Sequence, residues 1–145
     1  MIANIKYPAK IEYLENILRF VRSCARDEGF SKGRISNIEL ALEEALANIC
    51  RHAYTAGTCG DMEIQCRTDD NNRLIIDIID TGKPFNILYV SEPDLTDDIS
   101  ERDLGGLGVL LIRRMVDDIH YCRRDDKNIL TFVLTDRGGV NMVRS

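Results

Sequence analysis

Three short groups of residues in this 145-residue chain have types and spacings that suit chemistry. The first is Glu44 and Asn48, four positions apart. In a helix such a pair stacks on one face, here at the flank of an apolar stripe of Ile38, Leu42, Ala45, Ile49 and Ala53. The Asn carbonyl is an oxygen ligand suited to Mg²⁺, which takes one or two protein oxygens and completes its shell with phosphates and water. A carboxylate one turn away, free of the metal, takes a proton from a hydroxyl or a water. A solvated helix flank is the plainer alternative, since Glu-x-x-x-Asn recurs by chance.

The second group, Asp80-Thr81-Gly82-Lys83-Pro84-Phe85, closes an aliphatic strand. Strand parity puts Asp80 on one face with Leu74, Ile76 and Ile78, and Asp77 on the other with Ile75 and Ile79. If the first set faces the helices, Asp80 lies between sheet and helices and needs a donor. The amino group of adenine supplies one, whereas guanine presents an acceptor there. Gly82 permits close approach of a base. An ordinary Asp-Gly turn leaving a strand reads the same on local grounds. The third group is Gly105-Gly106-Leu107-Gly108, read as the opening of a helix, where backbone N–H groups bind phosphate. No Lys-Ser or Lys-Thr follows, so it is not a Walker A loop. Leu111 breaks the GxGxxG pattern. A flexible hinge is the alternative.

The elements that must position these groups follow from periodicity and breakers. Ile2 to Tyr7 reads as a strand stopped by Pro8. Ile11, Leu14, Ile17, Leu18 and Val21 mark a helix over about 10–28, ended at Gly29. Ser36 with Glu39 fits a capping box and predicts a second helix from there to about Tyr54. Met62, Ile64 and Cys66 alternate with polar residues, and the turn 69–72 leads into a strand from Leu74 to Asp80. Lys83 to Leu104 is a long acidic loop containing Pro84 and Pro93; loops of that length are usually functional. A third helix follows the glycines, with Leu107, Leu110, Leu111 and Met115 on one side. Ile119–Arg123 and Ile129–Thr135 form a hairpin around residues 125–128, and the tail 136–145 frays. The order β-α-α-β-β-loop-α-β-β predicts one α/β domain of the α+β type over residues 1–145. It is a two-layer sandwich, a mixed, mostly antiparallel sheet with three helices on one face.

Composition narrows the function. The chain carries a net charge of −5, 30% charged and 44% hydrophobic residues and no Trp. No apolar run approaches the roughly 20 residues of a membrane span, and the N-terminus lacks a signal-type stretch. The expectation is a cytoplasmic protein with no membrane and no direct nucleic-acid partner, since nucleic-acid binders usually carry a basic patch. Five cysteines, odd in number and without CxxC spacing, read as reduced thiols rather than a disulfide or zinc framework. His52 reads as a packed helix residue, and Arg113-Arg114 and Arg123-Arg124 as solvated faces.

Taken in this order, the three groups resemble the boxes of the GHKL, or Bergerat-fold, ATP-binding domains. Among these the chain is most similar to the stand-alone bacterial anti-sigma factor serine/threonine kinases, from the first helix to the last hairpin. The N-box matches Glu44 to Tyr54, the G1 box Asp80-Thr81-Gly82 with Pro84-Phe85, and the G2 box Gly106-Leu107-Gly108 running on to Asp117. The resemblance implies ATP and Mg²⁺ as cofactors. It implies Glu44 as general base, Asn48 on the metal, Asp80 on the adenine amino group and Gly82 leaving room for the ring. It implies Gly106, Leu107 and Gly108 at the phosphates and a lid from about Asn86 to Leu104. The implied substrate is a serine on an anti-sigma factor antagonist of the STAS type. The implied second partner is a sigma factor, held inactive, and the implied assembly is a homodimer. The alternative function is a nucleotide-gated protein-binding module without phosphotransfer.

Overall fold

The computed structural model describes residues 2–55, 58, 60–89 and 101–136. They form β1 (Ile2–Pro8), α1 (Leu14–Asp27), α2 (Lys32–Asn48), β2 (Asp61–Thr68), β3 (Leu74–Asp80), α3 (Glu101–Met115), β4 (Asp118–Arg124) and β5 (Lys127–Leu134). Short 3₁₀ turns lie at Ile11–Tyr13 and Ile87–Tyr89, and a π-helical turn, Ile49–Ala53, continues α2. The strands order as β1-β2-β3-β5-β4. All four pairings are antiparallel, so the sheet holds no parallel pair among the described strands, where a mixed sheet was expected. The reason lies in the last hairpin, which inserts its second strand, β5, between β3 and β4.

One core joins the sheet to the helices. Met62, Ile64 and Cys66 of β2, Leu74, Ile76 and Ile78 of β3, and Leu130, Phe132 and Leu134 of β5 are buried at every second position. They pack in a single cluster with residues of α1, α2 and α3 such as Val21, Leu42 and Ile112. The period of two thus puts one sheet face under the helices. Asp80 continues that buried row, as parity predicts. No helix among the described residues is long and apolar enough to cross a membrane.

Helix boundaries depart from the sequence reading in two places. α2 starts at Lys32, capped by Ser31, whose hydroxyl accepts from the Arg34 N–H at 3.2 Å. Ser36 and Glu39 lie inside it, and Glu39 instead pairs with Arg22 of α1 at 2.5 Å. The earlier start buries Arg34 and Ile35 in the first turns. The Arg34 guanidinium donates to the Met115 carbonyl at 2.5 Å, the Thr135 carbonyl at 2.8 Å and Asp117 Oδ2 at 2.7 Å. Tertiary bonding thus outweighs a local capping signal.

The second departure is α3, which begins at Glu101, ahead of the glycines, so that Gly105, Gly106 and Gly108 lie within the helix. Among its described side chains Val109 and Ile112 are buried, as is Val116 just past its end, whereas Leu110, Leu111 and Met115 are half-buried. The run Leu107 to Ile112 is apolar at every position but Gly108, so periodicity cannot choose a face. Leu107's side chain and residues 90–100, most of the expected lid, lie outside the described residues.

The final hairpin closes on two residues, Asp125 and Asp126, with φ of 53° and 62°. A turn with positive φ at both central positions matches the twist of the flanking strands. Lys127 and Asn128 therefore belong to β5 and not to the turn. Asp136, expected in a frayed tail, accepts a bond from the Ser31 N–H at 2.8 Å; residues 137–145 lie outside the described residues.

Replacing Arg34 by Ala removes its bonds to two carbonyls and to Asp117 at once. We expect a loss of about 3 kcal/mol in urea unfolding, the range for breaking a buried ion pair. Arg34→Lys should recover less than half of it, because an ammonium lacks the planar fork that reaches three acceptors.

Candidate active site

β3 delivers Asp80 to the floor of a cleft between the sheet and the end of α2. Asn48, Asp80, Phe85, Tyr121 and Asn128 are among its lining residues, with Ile78 and Leu130 supplying apolar wall. A mostly apolar cleft with a few convergent polar groups is the usual form of a small-molecule site. Asp80 Oδ1 accepts from the Gly82 N–H at 2.9 Å and from Asn128 Nδ2 at 2.9 Å. Its other oxygen has no partner among the described residues. No side-chain oxygen fully sealed from solvent lacks a partner there, so that oxygen opens to the cleft as an acceptor.

The π turn brings the cleft's two sides together. Lys83 N–H donates to the Ala53 carbonyl at 3.0 Å, and a Cβ on Gly82 would lie 2.1 Å from that same oxygen. Gly82 was expected to leave room for a base. What requires glycine in the structure is this backbone contact, since no side chain fits against a fixed carbonyl.

Asn48 is buried, and its Nδ2 donates to the Glu44 carbonyl one turn back at 3.1 Å. With the amide nitrogen so engaged, Oδ1 is the atom left for a ligand. Glu44 is half-buried, whereas Glu43 is exposed. Among the described residues the Glu44 carboxylate has no hydrogen bond or ion pair. An ideal Cβ on Gly108 would lie 2.6 Å from Glu44 Oε2. Gly108 thus leaves the space that this carboxylate occupies.

The structure therefore puts Asn48 and Asp80 in one cleft, with Gly82 bonded to Asp80, and sets Glu44, one turn back on α2 and outside the lining, against Gly108. The glycine stretch is helical, so the expected loop of free N–H groups at a helix start is not its form here. For Gly106 and Leu107 only the helical backbone is described. Three contacts escaped the sequence reading. Asn128 bonds Asp80, Arg123 donates to the Gly82 carbonyl at 2.8 Å, and Arg113 reaches the Leu88 carbonyl at 3.4 Å. The two arginines are exposed, yet each ties a chain segment of the cleft; only their carbonyl partners, absent from the residue pattern, reveal it. His52 is exposed, its ring tilted against Phe85 at 6.3 Å. Burial pushes the Cys50 thiol above its ordinary value, with Arg51 opposing. The described residues contain no group of three His, Cys, Asp or Glu able to hold a metal ion.

The histidine kinase-like ATPase domain family matches the chain over residues 7–134. This chain belongs to that family. Its relatives include the serine-protein kinase RsbW of Bacillus thuringiensis strain Al Hakam. That protein is 30% identical over 130 residues, which cover 87% of this chain and 80% of the relative. RsbW of Bacillus licheniformis is 32% identical over 122 residues, 79% of this chain and 74% of the relative. The fold is shared with a crystal structure of the RsbU and RsbW domains of a Mycobacterium tuberculosis protein. The TM-score is 0.66 at 14% identity, over 92% of this chain and 32% of that one. A histidine kinase domain from a blue-light-activated kinase of Erythrobacter litoralis is also similar. Its TM-score is 0.58 at 15% identity, over 91% of this chain and 65% of that one.

Within this family's ATP-binding frame, Gly108 separates folding from chemistry. Gly108→Ala should leave thermal stability unchanged or raise it by up to about 1 kcal/mol through helix propensity. The flexible Glu44 carboxylate must move aside, and phosphotransfer should fall by about tenfold or more if it acts as base. Calorimetric unfolding and a phosphorylation assay on the same sample separate the two.

Proposed function

We propose that this ATP-dependent serine/threonine kinase phosphorylates a serine on a STAS-type anti-sigma factor antagonist and, as the other arm of a partner switch, sequesters a sigma factor. In this reading it works as a homodimer in the bacterial cytoplasm. The observation that carries it is the Glu44 carboxylate, unpaired among the described residues, beside Gly108 and one turn from Asn48, which lines the Asp80 cleft.

Asp80 would take the adenine amino group on the oxygen that faces the cleft. Asn48 Oδ1 suits Mg²⁺, which needs few protein oxygens when phosphates and water complete its shell. The absence of an all-protein cage among the described residues agrees with that mode. Bound there, Mg²⁺ would supply charge neutralisation at the triphosphate. Glu44 would orient the serine hydroxyl and accept its proton as the oxygen attacks the γ-phosphorus and ADP departs. Phosphoryl transfer needs little more than positioning and electrostatics, so no covalent enzyme intermediate is required. Gly106, Leu107 and Gly108 would approach the phosphates from α3.

Incubation with Mg-ATP and a STAS-type antagonist should give phosphoserine, read by intact mass. Glu44→Gln should slow transfer by about 10²–10⁴-fold while nucleotide binding persists. Mg-ATP at 100 times Kd should stabilise the wild type by about 2.7 kcal/mol in thermal unfolding, and Asn48→Ala should lose most of that gain. Binding without transfer by the wild type would favour the nucleotide-gated binding module. Full transfer by Glu44→Gln would remove Glu44 as base.

A further inference from the structure

Asn128 lies on β5 directly opposite Asp80 of β3. It is buried, and its carboxamide has no hydrogen-bonding capacity to spare. Nδ2 donates to Asp80 Oδ1 at 2.9 Å and to the Lys83 carbonyl at 2.8 Å. Oδ1 accepts from the Tyr121 hydroxyl and from the Phe85 N–H at 3.4 Å. A carboxamide offers two donor hydrogens and two acceptor lone pairs, and all four are engaged. The partners also fix which way round the amide sits. Turned over, its oxygen would face a carboxylate and a carbonyl, and its NH₂ would face two donors.

Two consequences follow for the cleft. Asn128 has no polar atom left for a ligand, so it acts on the site through its partners, the Asp80 carboxylate and the main chain of Lys83 and Phe85. It also occupies Asp80 Oδ1 together with the Gly82 N–H, leaving the second oxygen as the acceptor presented to a ligand. Tyr121, from the edge strand β4, lines the same cleft and holds the amide from behind.

We propose that Asn128, steadied by Tyr121, is the positioning residue that makes Asp80 selective for a purine carrying a 6-amino group. The inference rests on the reading of the cleft as the ATP site. A fixed carboxylate oxygen rewards a ligand donor at that point and rejects a base without one. Without Asn128 a single bond, from the Gly82 N–H, is left to hold Oδ1, and the discrimination weakens with the orientation.

The test compares the affinities of Mg-ATP and Mg-purine-riboside triphosphate, which lacks the 6-amino group, by titration calorimetry. Wild type should prefer ATP by about tenfold or more, the size of one charge-assisted hydrogen bond. In Asn128→Ala the ratio should collapse to within about threefold, and in Tyr121→Phe it should fall part of the way, by about threefold. A merely structural role would weaken both nucleotides alike and leave the ratio unchanged. A folded Asn128→Ala that keeps the wild-type ratio overturns the proposal. If that variant fails to fold, Tyr121→Phe decides, and an unchanged ratio there overturns it. A wild type that binds neither triphosphate removes the ATP-site reading and this inference with it. One that binds both equally removes Asp80 as the reader of the base, and the proposal falls while the nucleotide site stands.

Discussion

The position of α3 depends on one buried guanidinium. Arg34 stands in the first turn of α2 and bonds the last carbonyl of α3, the carbonyl just beyond β5, and Asp117 between α3 and β4. Burying a charge is costly unless its donors are satisfied, and Arg34 satisfies them from segments more than 80 residues away in sequence. With the C-terminal end of α3 fixed, Val109 and Ile112 pack into the core and Gly108 comes to rest against Glu44. The geometry of the proposed base is thus set in part by an arginine at the other end of its own helix.

In the proposed reaction Glu44 and Asn48 would divide the chemistry by the atoms they leave unused. Asn48 spends its nitrogen on the helix backbone and keeps its oxygen; Glu44 keeps a whole carboxylate. A helix face presents both at one spacing and holds them rigidly, which a loop would not. The same fold recurs in a histidine kinase domain at 15% identity, so the architecture alone does not choose the phosphate acceptor. That choice lies in the side chains around the site and in the partner brought to it.

Where the sequence carried a strong period, its reading held. In the aliphatic strand Leu74 to Asp80, parity with Leu74, Ile76 and Ile78 places Asp80 inward, and the stripe from Ile38 to Ala53 turns Asn48 to the cleft. Where local and global signals compete, the reading failed for identifiable reasons. Ser36 and Glu39 imitate a cap, yet Ser31 caps and the burial of Arg34 starts the helix earlier. Leu107 to Ile112 offers apolar side chains on almost every face. Asp125 and Asp126 form a left-handed two-residue turn without the glycine that usually marks one. A four-residue turn was therefore drawn, and Asn128 was lost from the strand that carries it to Asp80. The glycines at 82 and 108 were found, but the contacts that demand them, a carbonyl and a carboxylate from other segments, have no trace in a one-dimensional pattern.

The chain beside Asp80 is tied together through main-chain groups. The Ala53 carbonyl meets the Lys83 N–H, the Lys83 carbonyl receives Asn128, the Gly82 N–H binds Asp80 and its carbonyl takes Arg123. Main-chain groups are the same whatever residue bears them. These bonds therefore hold the path of the chain at 82–83 without calling on the exposed Lys83 side chain.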